Sequence, residues 1–258
     1  MTATPSNSIV LTPTDWNHVL GRLGYGNPAA PLWFLGMEEG LGDELNAVLR
    51  EFLKRPQPFD SFEHMRLSLT YPPKTPTWRI MAKLARRLQL KATDWDDPRR
   101  TLEYVVDDLG TAKGDTLLLE MRPLPAKKFS RKPSDWPEQY KSRFTTPYAY
   151  EEEMLGKRIP IIRDLAYKHR PHVVFCYGEG YWPHYEAIFP LRDVASYHYT
   201  VKTKQYTAKI GVWENNTVVV LAPFFVPFKL PNRELGNLAE RVEIMQHALA
   251  KANGGDRP

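Results

Sequence analysis

Four short apolar runs constrain the fold of this chain more than any other feature of its sequence. They cover residues 32–35, 116–120, 172–178 and 218–223, and helix-like patterns lie between them. Continuous apolar runs of this length are typical of parallel strands buried on both faces. The pattern therefore predicts an α/β fold, a single-domain three-layer α/β/α sandwich with a mainly parallel, four-stranded central sheet.

The length and the first residues indicate how the chain is organised. A length of 258 residues fits one large domain, so we expect a single domain over residues 1–258, with a loose lead over residues 1–14. That lead has no apolar signal core, and no apolar run approaches the ~20 residues of a membrane span. We expect a cytoplasmic, monomeric protein with no membrane partner.

The composition excludes several kinds of site. One cysteine, Cys176, excludes an intramolecular disulfide and any cysteine-built zinc or iron–sulfur site, so we expect no metal and no cofactor. A net charge of +5 favours an anionic partner such as nucleic acid. Aromatic residues at 12%, together with 23 prolines, suggest rigid loops carrying rings that can stack on bases.

An acidic segment follows the first apolar run. It reads Gly36-Met37-Glu38-Glu39-Gly40, and a helix-like pattern over residues 41–53 comes directly after it. Glycines beside two carboxylates at the carboxyl end of a strand let backbone and acids approach a ligand closely. We expect a tight turn here. The alternative is a plain connection with solvated acids.

The other three runs also end in distinctive residues. The second ends at Glu120 and leads to Arg122, two prolines and a basic cluster that includes Lys127 and Lys128. This cluster is long enough to contact several phosphates. The alternative is that it is an exposed loop. The third ends at Tyr177 and Gly178, and the fourth opens into a loop over residues 222–232. In a parallel sheet all these ends share one edge.

In this order the motifs resemble the uracil-DNA glycosylase superfamily, across most of residues 30–245. Residues 36–40 stand where the family has its water-activating loop, and Tyr71-Pro72-Pro73 is similar to the loop with its stacking aromatic. Residues 117–120, Leu-Leu-Leu-Glu, stand where members have Leu-Leu-Leu-Asn, whose Asn reads the flipped base. Residues 222–224 stand where members have His-Pro-Ser and a wedge that enters the DNA stack.

The departures from the family motifs suggest a changed substrate. Glu120 replaces the base-reading Asn, and a carboxylate only accepts hydrogen bonds, which suits the exocyclic amine of cytosine. A proton shared between Glu120 and N3 of the base would also improve the leaving group where Ala222 replaces the family's histidine. Gly40 replaces a tyrosine that blocks groups on C5, which leaves room for a bulky substituent.

The resemblance implies a monofunctional DNA glycosylase that flips a base and hydrolyses its N-glycosidic bond. A C5-modified cytosine, such as glucosylated hydroxymethylcytosine in phage DNA, is the expected substrate, and antiviral defence the expected role. Glu38 would stabilise the oxocarbenium-like sugar and activate water, with Glu39 in support. The expected base-binding residues are Gly36, Met37, Gly40, Tyr71 and Glu120. The expected DNA-binding residues are Arg122, Lys127, Lys128, Pro223, Phe224, Phe225 and Lys229.

Several alternatives remain open at this point. The chain could be a repair glycosylase for uracil or damaged bases, or a DNA-binding module without catalysis. A metal-dependent hydrolase would use the oxygen ligands of Glu38, Glu39, Asp43 and Glu44. Glu120 could instead be a capping or salt-bridged acid. In the loop after the last strand, at least two of Phe224, Phe225, Val226 and Phe228 are expected in the core.

Overall fold

The computed structural model describes residues 9–40, 45–56, 58–60, 75–126 and 132–254. The helices are α1 (Pro13–Gly21), α2 (Leu45–Phe52), α3 (Pro76–Leu88), α4 (Pro98–Asp107), α5 (Glu138–Lys141), α6 (Pro147–His169), α7 (Trp182–Ile188) and α8 (Asn232–Gly254). The strands are β1 (Gly24–Gly26), β2 (Leu32–Gly40), β3 (Phe59–Asp60), β4 (Thr116–Ala126), β5 (Val173–Tyr177), β6 (Arg192–Val201), β7 (Lys204–Trp213) and β8 (Thr217–Ala222).

The strands form one mixed sheet in the order β3-β1-β4-β2-β5-β8-β7-β6. Its centre, β4-β2-β5-β8, consists of the four predicted strands, and each is parallel to its neighbours in that group. The prediction of a four-stranded, mainly parallel sheet is wrong, because β1 pairs antiparallel with β4 and the β7–β6 hairpin adds two antiparallel strands beyond β8. The α/β class is confirmed.

Helices cover both faces of the sheet centre, which explains its continuous apolar runs. On one face, Leu32, Phe34 and Val220 share a core with residues of α3, α4 and α8. On the other face, Trp33 and Leu35 share a core with residues of α6 and α7. Alternate residues of the same strand therefore face different helices, and neither set faces water.

Strands β2 and β4 continue past their apolar runs. Gly36 pairs with Glu120, Glu38 with Arg122 and Gly40 with Ala126, with a register shift between Glu38 and Gly40. The expectation of a tight turn at residues 36–40 is therefore wrong, because backbone pairing with β4 holds this segment extended. The extra residues on the β4 side include Pro123 and Pro125, which cannot donate to a ladder and are typical of bulges and strand edges.

Helix α6 is continuous from Pro147 to His169, with Pro160 inside it. The Thr146 side chain accepts a hydrogen bond from the Ala149 amide at its start. The helix packs against β4 and carries the buried side chains Glu151 and Arg158 towards it. Among the helices that the structure describes, none has both the length and the apolar character needed to cross a bilayer.

Candidate functional site

The chain order of the central strands defines a topological switch point. After β2 the chain adds β4 on one side and then β5 on the other, so a crevice forms outside the carboxyl ends of β2 and β5. Register pairs join Glu120 to Gly36, and Tyr177 to Ala222. Because Leu35 pairs with Cys176, these four residues form one row across four strands. This row is where a ligand of an open α/β sheet would bind.

The register also fixes the spacing of the two acids named from the sequence. Glu38 pairs with Arg122, so its backbone lies two residues along and one strand across from Glu120. That offset corresponds to about 8 Å between their Cα atoms. The side chains of Glu38 and Glu39, and the surroundings of Gly40, are outside the part of the chain that the structure describes, so the roles of these residues stay predictions.

Tyr177 is a site residue for which sequence reasoning proposed no role beyond its place at this edge. A Cβ atom built on Gly36 would lie 2.1 Å from the Tyr177 hydroxyl oxygen, so the ring passes directly over the β2 backbone. The ring stacks on Phe225, with centroids 4.6 Å apart and planes at 14°. Gly36 is therefore needed to make room for the Tyr177 ring. In the sequence, the signal for this aromatic side of the site is a tyrosine that ends an apolar run just before a glycine.

Met37 and Gly178 pack together on the next positions of the two strands. Gly178 has a φ of +105°, and a Cβ there would approach the Met37 sulfur to 3.0 Å. Met37 is half-buried against the α6 and α7 side of the core. The contacts given for Met37 are therefore with Gly178 and with this part of the core.

The loop after β8 divides into core and surface residues. Phe225 is fully buried against Phe34 and Tyr177, which does not match a DNA contact. Pro223 is buried, and Phe224 is half-buried with its ring centroid 5.9 Å from that of Tyr177. Phe228 is 66% exposed. The aromatic ring that this loop presents to solvent is therefore Phe228.

Hydrogen bonds hold this loop in place from both sides. The Thr77 hydroxyl donates to the Phe225 carbonyl oxygen at 3.1 Å, and the Tyr199 hydroxyl donates to the Lys229 carbonyl oxygen at 2.9 Å. The Lys229 ammonium forms a partly exposed ion pair with Glu179 at 3.0 Å. Lys229 remains near the carboxyl ends of β5 and β8, where an anion could compete for its charge.

Arg122 does not lie at the surface. It is 1% exposed, its guanidinium carbon lies 4.6 Å from the centre of the Tyr181 ring, and Nη1 lies 4.0 Å from Glu151 Oε1. This burial does not fit the expected contact with a DNA phosphate. The sequence could not indicate it, because arginines are mostly exposed and Glu151 comes from a distant helix.

A second buried arginine, Arg158, lies on α6. It is 2% exposed and donates from Nη2 to the carbonyl oxygen of Arg22. Burial lowers the pKa of Arg158 to about 10, an effect opposed by the charge of Glu120 and enhanced by that of Arg22. Glu120 itself is half-buried, and its amide donates to the Leu23 carbonyl oxygen at 3.1 Å.

Three of the predicted contact residues, Tyr71, Lys127 and Lys128, lie outside the described residues. Where side chains are described, no three of His, Cys, Asp and Glu group into a metal site. The acids of the metal-hydrolase alternative, at positions 38, 39, 43 and 44, are not among those side chains. Cys176 is fully buried, and burial raises the pKa of its thiol.

No protein-family model and no curated protein matches the sequence. The basis for a function is therefore the crevice at the carboxyl ends of the central strands. Its described part combines a half-buried acid, an aromatic wall and a nearby exposed ring beside a lysine.

Proposed function

We propose that this chain is a DNA glycosylase that hydrolyses the N-glycosidic bond of a flipped, cytosine-type base. The observation that carries the proposal is the register of β2 and β4, in which Glu120 lies opposite Gly36, with Glu38 two residues further along β2. One acid is then available for the base and another for the sugar, at the switch point where open α/β sheets bind ligands.

Glu120 supports the choice of an amino-pyrimidine. An ionised carboxylate has no proton to donate, so it fits the exocyclic amine of cytosine and not the carbonyl oxygen of uracil. A proton between the acid and N3 completes this pairing. Tyr177 closes the site beside Gly36, because the β2 backbone and Phe225 cover the two faces of its ring, so the stacking partner proposed for the base is Tyr71.

Glu38 is proposed to act on the sugar. As the bond from C1′ to the base breaks, its electron pair leaves with the base, which departs neutral because N3 carries the proton. The carboxylate stabilises the oxocarbenium-like sugar, and takes a proton from the water whose oxygen bonds to C1′. The products are a free base and an abasic site.

Phe228 and Lys229 are proposed to contact the duplex. An exposed apolar ring can enter the base stack and help to expel a nucleotide, while a neighbouring lysine binds a phosphate. The loop is suited to this role because hydrogen bonds to Thr77 and Tyr199 hold its backbone.

The direct test is base release from duplexes that carry a single uracil, cytosine, hydroxymethylcytosine or glucosylated hydroxymethylcytosine. Strand breaks after alkali report abasic sites. We expect breaks with a C5-modified cytosine, and a loss of about 100-fold or more in Glu38→Gln with DNA binding retained. Glu120→Gln should weaken cytosine-type activity and favour uracil, because an amide can also donate.

Exposed Glu240 on α8 provides the matched control, and Glu240→Gln should behave like the unmodified protein. Binding of modified DNA without abasic sites would instead support the DNA-binding module. Loss of activity in excess EDTA would favour the metal-dependent hydrolase. Full activity in Glu38→Gln would refute the catalytic assignment.

A further inference from the structure

The β6–β7 hairpin extends past the edge of the sheet at which the candidate site lies. Lys209 of β7 pairs with Leu221 of β8, and β8 ends one residue later, at Ala222 in the row of the site. Because β7 begins at Lys204, its first four residues lie beyond that row, a projection of about 13 Å, and β6 runs beside them. This projecting part, residues 198–207, is the hairpin arm.

One face of the hairpin packs against the rest of the protein. Tyr197 and Tyr199 are buried and their rings stack, with centroids 5.3 Å apart and planes at 25°. Tyr206 continues the stack, with its centroid 5.7 Å from that of Tyr199 and planes at 26°. The Tyr199 hydroxyl donates to the carbonyl oxygen of Lys229, next to exposed Phe228. The hairpin arm and the loop after β8 are therefore joined beside the site.

The tip of the hairpin arm is basic. Residues 194–213 contain no Asp or Glu. Lys202 and Lys204 are exposed, and among the side chains that the structure describes neither has a carboxylate partner, whereas Lys209, nearer the sheet centre, pairs with Glu186 at 2.9 Å. Two exposed ammonium groups that project beyond the site are suited to contact the phosphates of a nucleic acid.

The backbone of the turn provides a second, independent observation. Lys202 and Thr203 connect the two strands, and Lys202 has a φ of +56°. Two-residue hairpin turns that need a positive φ prefer Asn, Asp or Gly, because a larger side chain is strained there. Residues held in such conformations cluster at ligand-binding sites. Here the strained residue is one of the two tip lysines.

We propose that the hairpin arm binds duplex DNA, with Lys202 and Lys204 contacting phosphates on one side of the flipped base. This inference rests on the proposed function and adds the structural class of its substrate, a double strand that extends to that side. Along β7, Lys204 alternates onto the same face as Tyr206, which is the face joined to the Phe228 loop. The arm and the proposed wedge therefore approach DNA from the same side.

The strand order gives the reach of the hairpin arm. β7 is three strands from β2 in the sheet, or about 14 Å. Combined with the projection beyond the row, this spacing sets the Lys204 backbone about 20 Å from that of Gly36. At about 3.4 Å per base pair, the reach is roughly six base pairs from the flipped nucleotide.

The salt dependence of DNA binding, measured by fluorescence anisotropy on an ordinary labelled duplex, tests the arm without requiring catalysis. Lys202→Gln and Lys204→Gln together should weaken binding roughly tenfold at about 0.1 M salt. The slope of log K against log salt should fall in magnitude by about 1.8, or about 0.9 per lysine. The matched control is Lys113→Gln with Lys168→Gln, because these exposed lysines precede the amino ends of β4 and β5, at the opposite edge of the sheet. It should leave the slope unchanged.

Lys202→Asn separates binding from stability. Asparagine tolerates a positive φ, so this variant should have an unchanged or higher melting temperature. It should nevertheless lose about 0.9 from the slope, because one phosphate contact is removed. Unchanged DNA binding in Lys202→Asn would show that the lysine has no such contact and would overturn its assignment.

Single-turnover base release tests the reach. On a duplex with long flanks, the double variant should have a roughly tenfold lower kcat/KM than the unmodified protein. Shortening the duplex to about three base pairs on one side of the site should abolish this difference, and shortening it on the other side should not. A difference that survives both truncations would overturn the proposed contact.

The remaining outcomes separate the hairpin arm from the chemistry. An unchanged slope in the double variant, or an equal change in the Lys113 and Lys168 control, would overturn the inference. A change of slope with double-stranded RNA and not with DNA would overturn it in favour of an RNA partner. A smaller slope on DNA, together with no base release from any DNA by the unmodified protein, would support the arm and refute the proposed glycosylase.

Discussion

Adding one methyl group at Gly36 should disturb the candidate site through a single neighbour. In Gly36→Ala the new Cβ would lie 2.1 Å from the Tyr177 hydroxyl oxygen, 2.5 Å from Cζ and 3.1 Å from Cε2. The first two separations are far below van der Waals contact, so the ring must move. Because the other face of the ring stacks on Phe225, a buried residue, it has little room in that direction.

The expected cost follows from overpacking. Forced shifts of a packed side chain cost typically about 1–3 kcal/mol, so we take ~2 kcal/mol for Gly36→Ala. For a chain of this size each kcal/mol lowers the melting temperature by roughly 2–4 °C, which predicts a fall of about 4–8 °C. Differential scanning calorimetry measures this fall, and the base-release assay should show a loss of activity alongside it.

A double-mutant cycle tests the stated cause. Tyr177→Ala removes the clashing atoms, so adding Gly36→Ala to it should cost nothing or stabilise slightly, since alanine restricts the unfolded chain more than glycine. Gly156 lies on the exposed side of α6, where an added Cβ would have no heavy atom within 4 Å, so Gly156→Ala is the matched control. An equal cost of Gly36→Ala with and without the Tyr177 ring would refute the reasoning.

Two further outcomes follow from the exposed and the buried rings. Phe228→Asp should lower base release from duplex DNA roughly tenfold, and should lower it much less from single strands, where no base has to be unstacked. Ile244→Asp, at a similarly exposed position on α8, should change neither rate. Equal losses on duplex and single strands in Phe228→Asp would contradict the proposed role of Phe228 as a wedge. Burial raises the pKa of Tyr104, Tyr140 and Tyr199 above 10.0, so these phenols ionise in the unfolded chain before they do so in the folded protein. Their contribution to the free energy of unfolding is intact below the pKa of a phenol in the unfolded chain, and it is lost as pH rises through their pKa values in the folded protein. Stability should therefore fall above about pH 10. Ultraviolet absorbance of the phenolate should show tyrosines that titrate only when the protein unfolds.

The sheet centre was predictable from sequence because burial on both faces leaves a simple signature. Residues 32–35 and 218–221 are apolar throughout, and both proved to be central strands. The outer strands carry weaker signals. β1 and β3 have three and two residues, and β6 alternates only over its last residues, so patterning could not establish an eight-stranded mixed sheet.

The candidate site was predictable in its location and not in its contacts. The carboxyl ends of four strands indicated the edge at which Glu120 and Tyr177 lie, on either side of β2. The register of β2 on β4, which sets Gly36 opposite Glu120, depends on pairing between distant segments. The burial of Arg122 similarly depends on α6 bringing Glu151 to it, a contact that no local pattern encodes.

The flank of β4 away from β2 affects which molecules can approach the crevice. There β1 pairs only with residues 117–119, so within the described chain that flank has no strand partner beyond Glu120. Residues 121–125 are nevertheless buried, because the Leu124 amide donates to the Tyr150 hydroxyl of α6 at 3.0 Å and the Tyr140 hydroxyl of α5 donates to the Pro125 carbonyl oxygen at 2.9 Å. Helices therefore occupy the position that a further strand would take, and edge-to-edge association is discouraged on this flank.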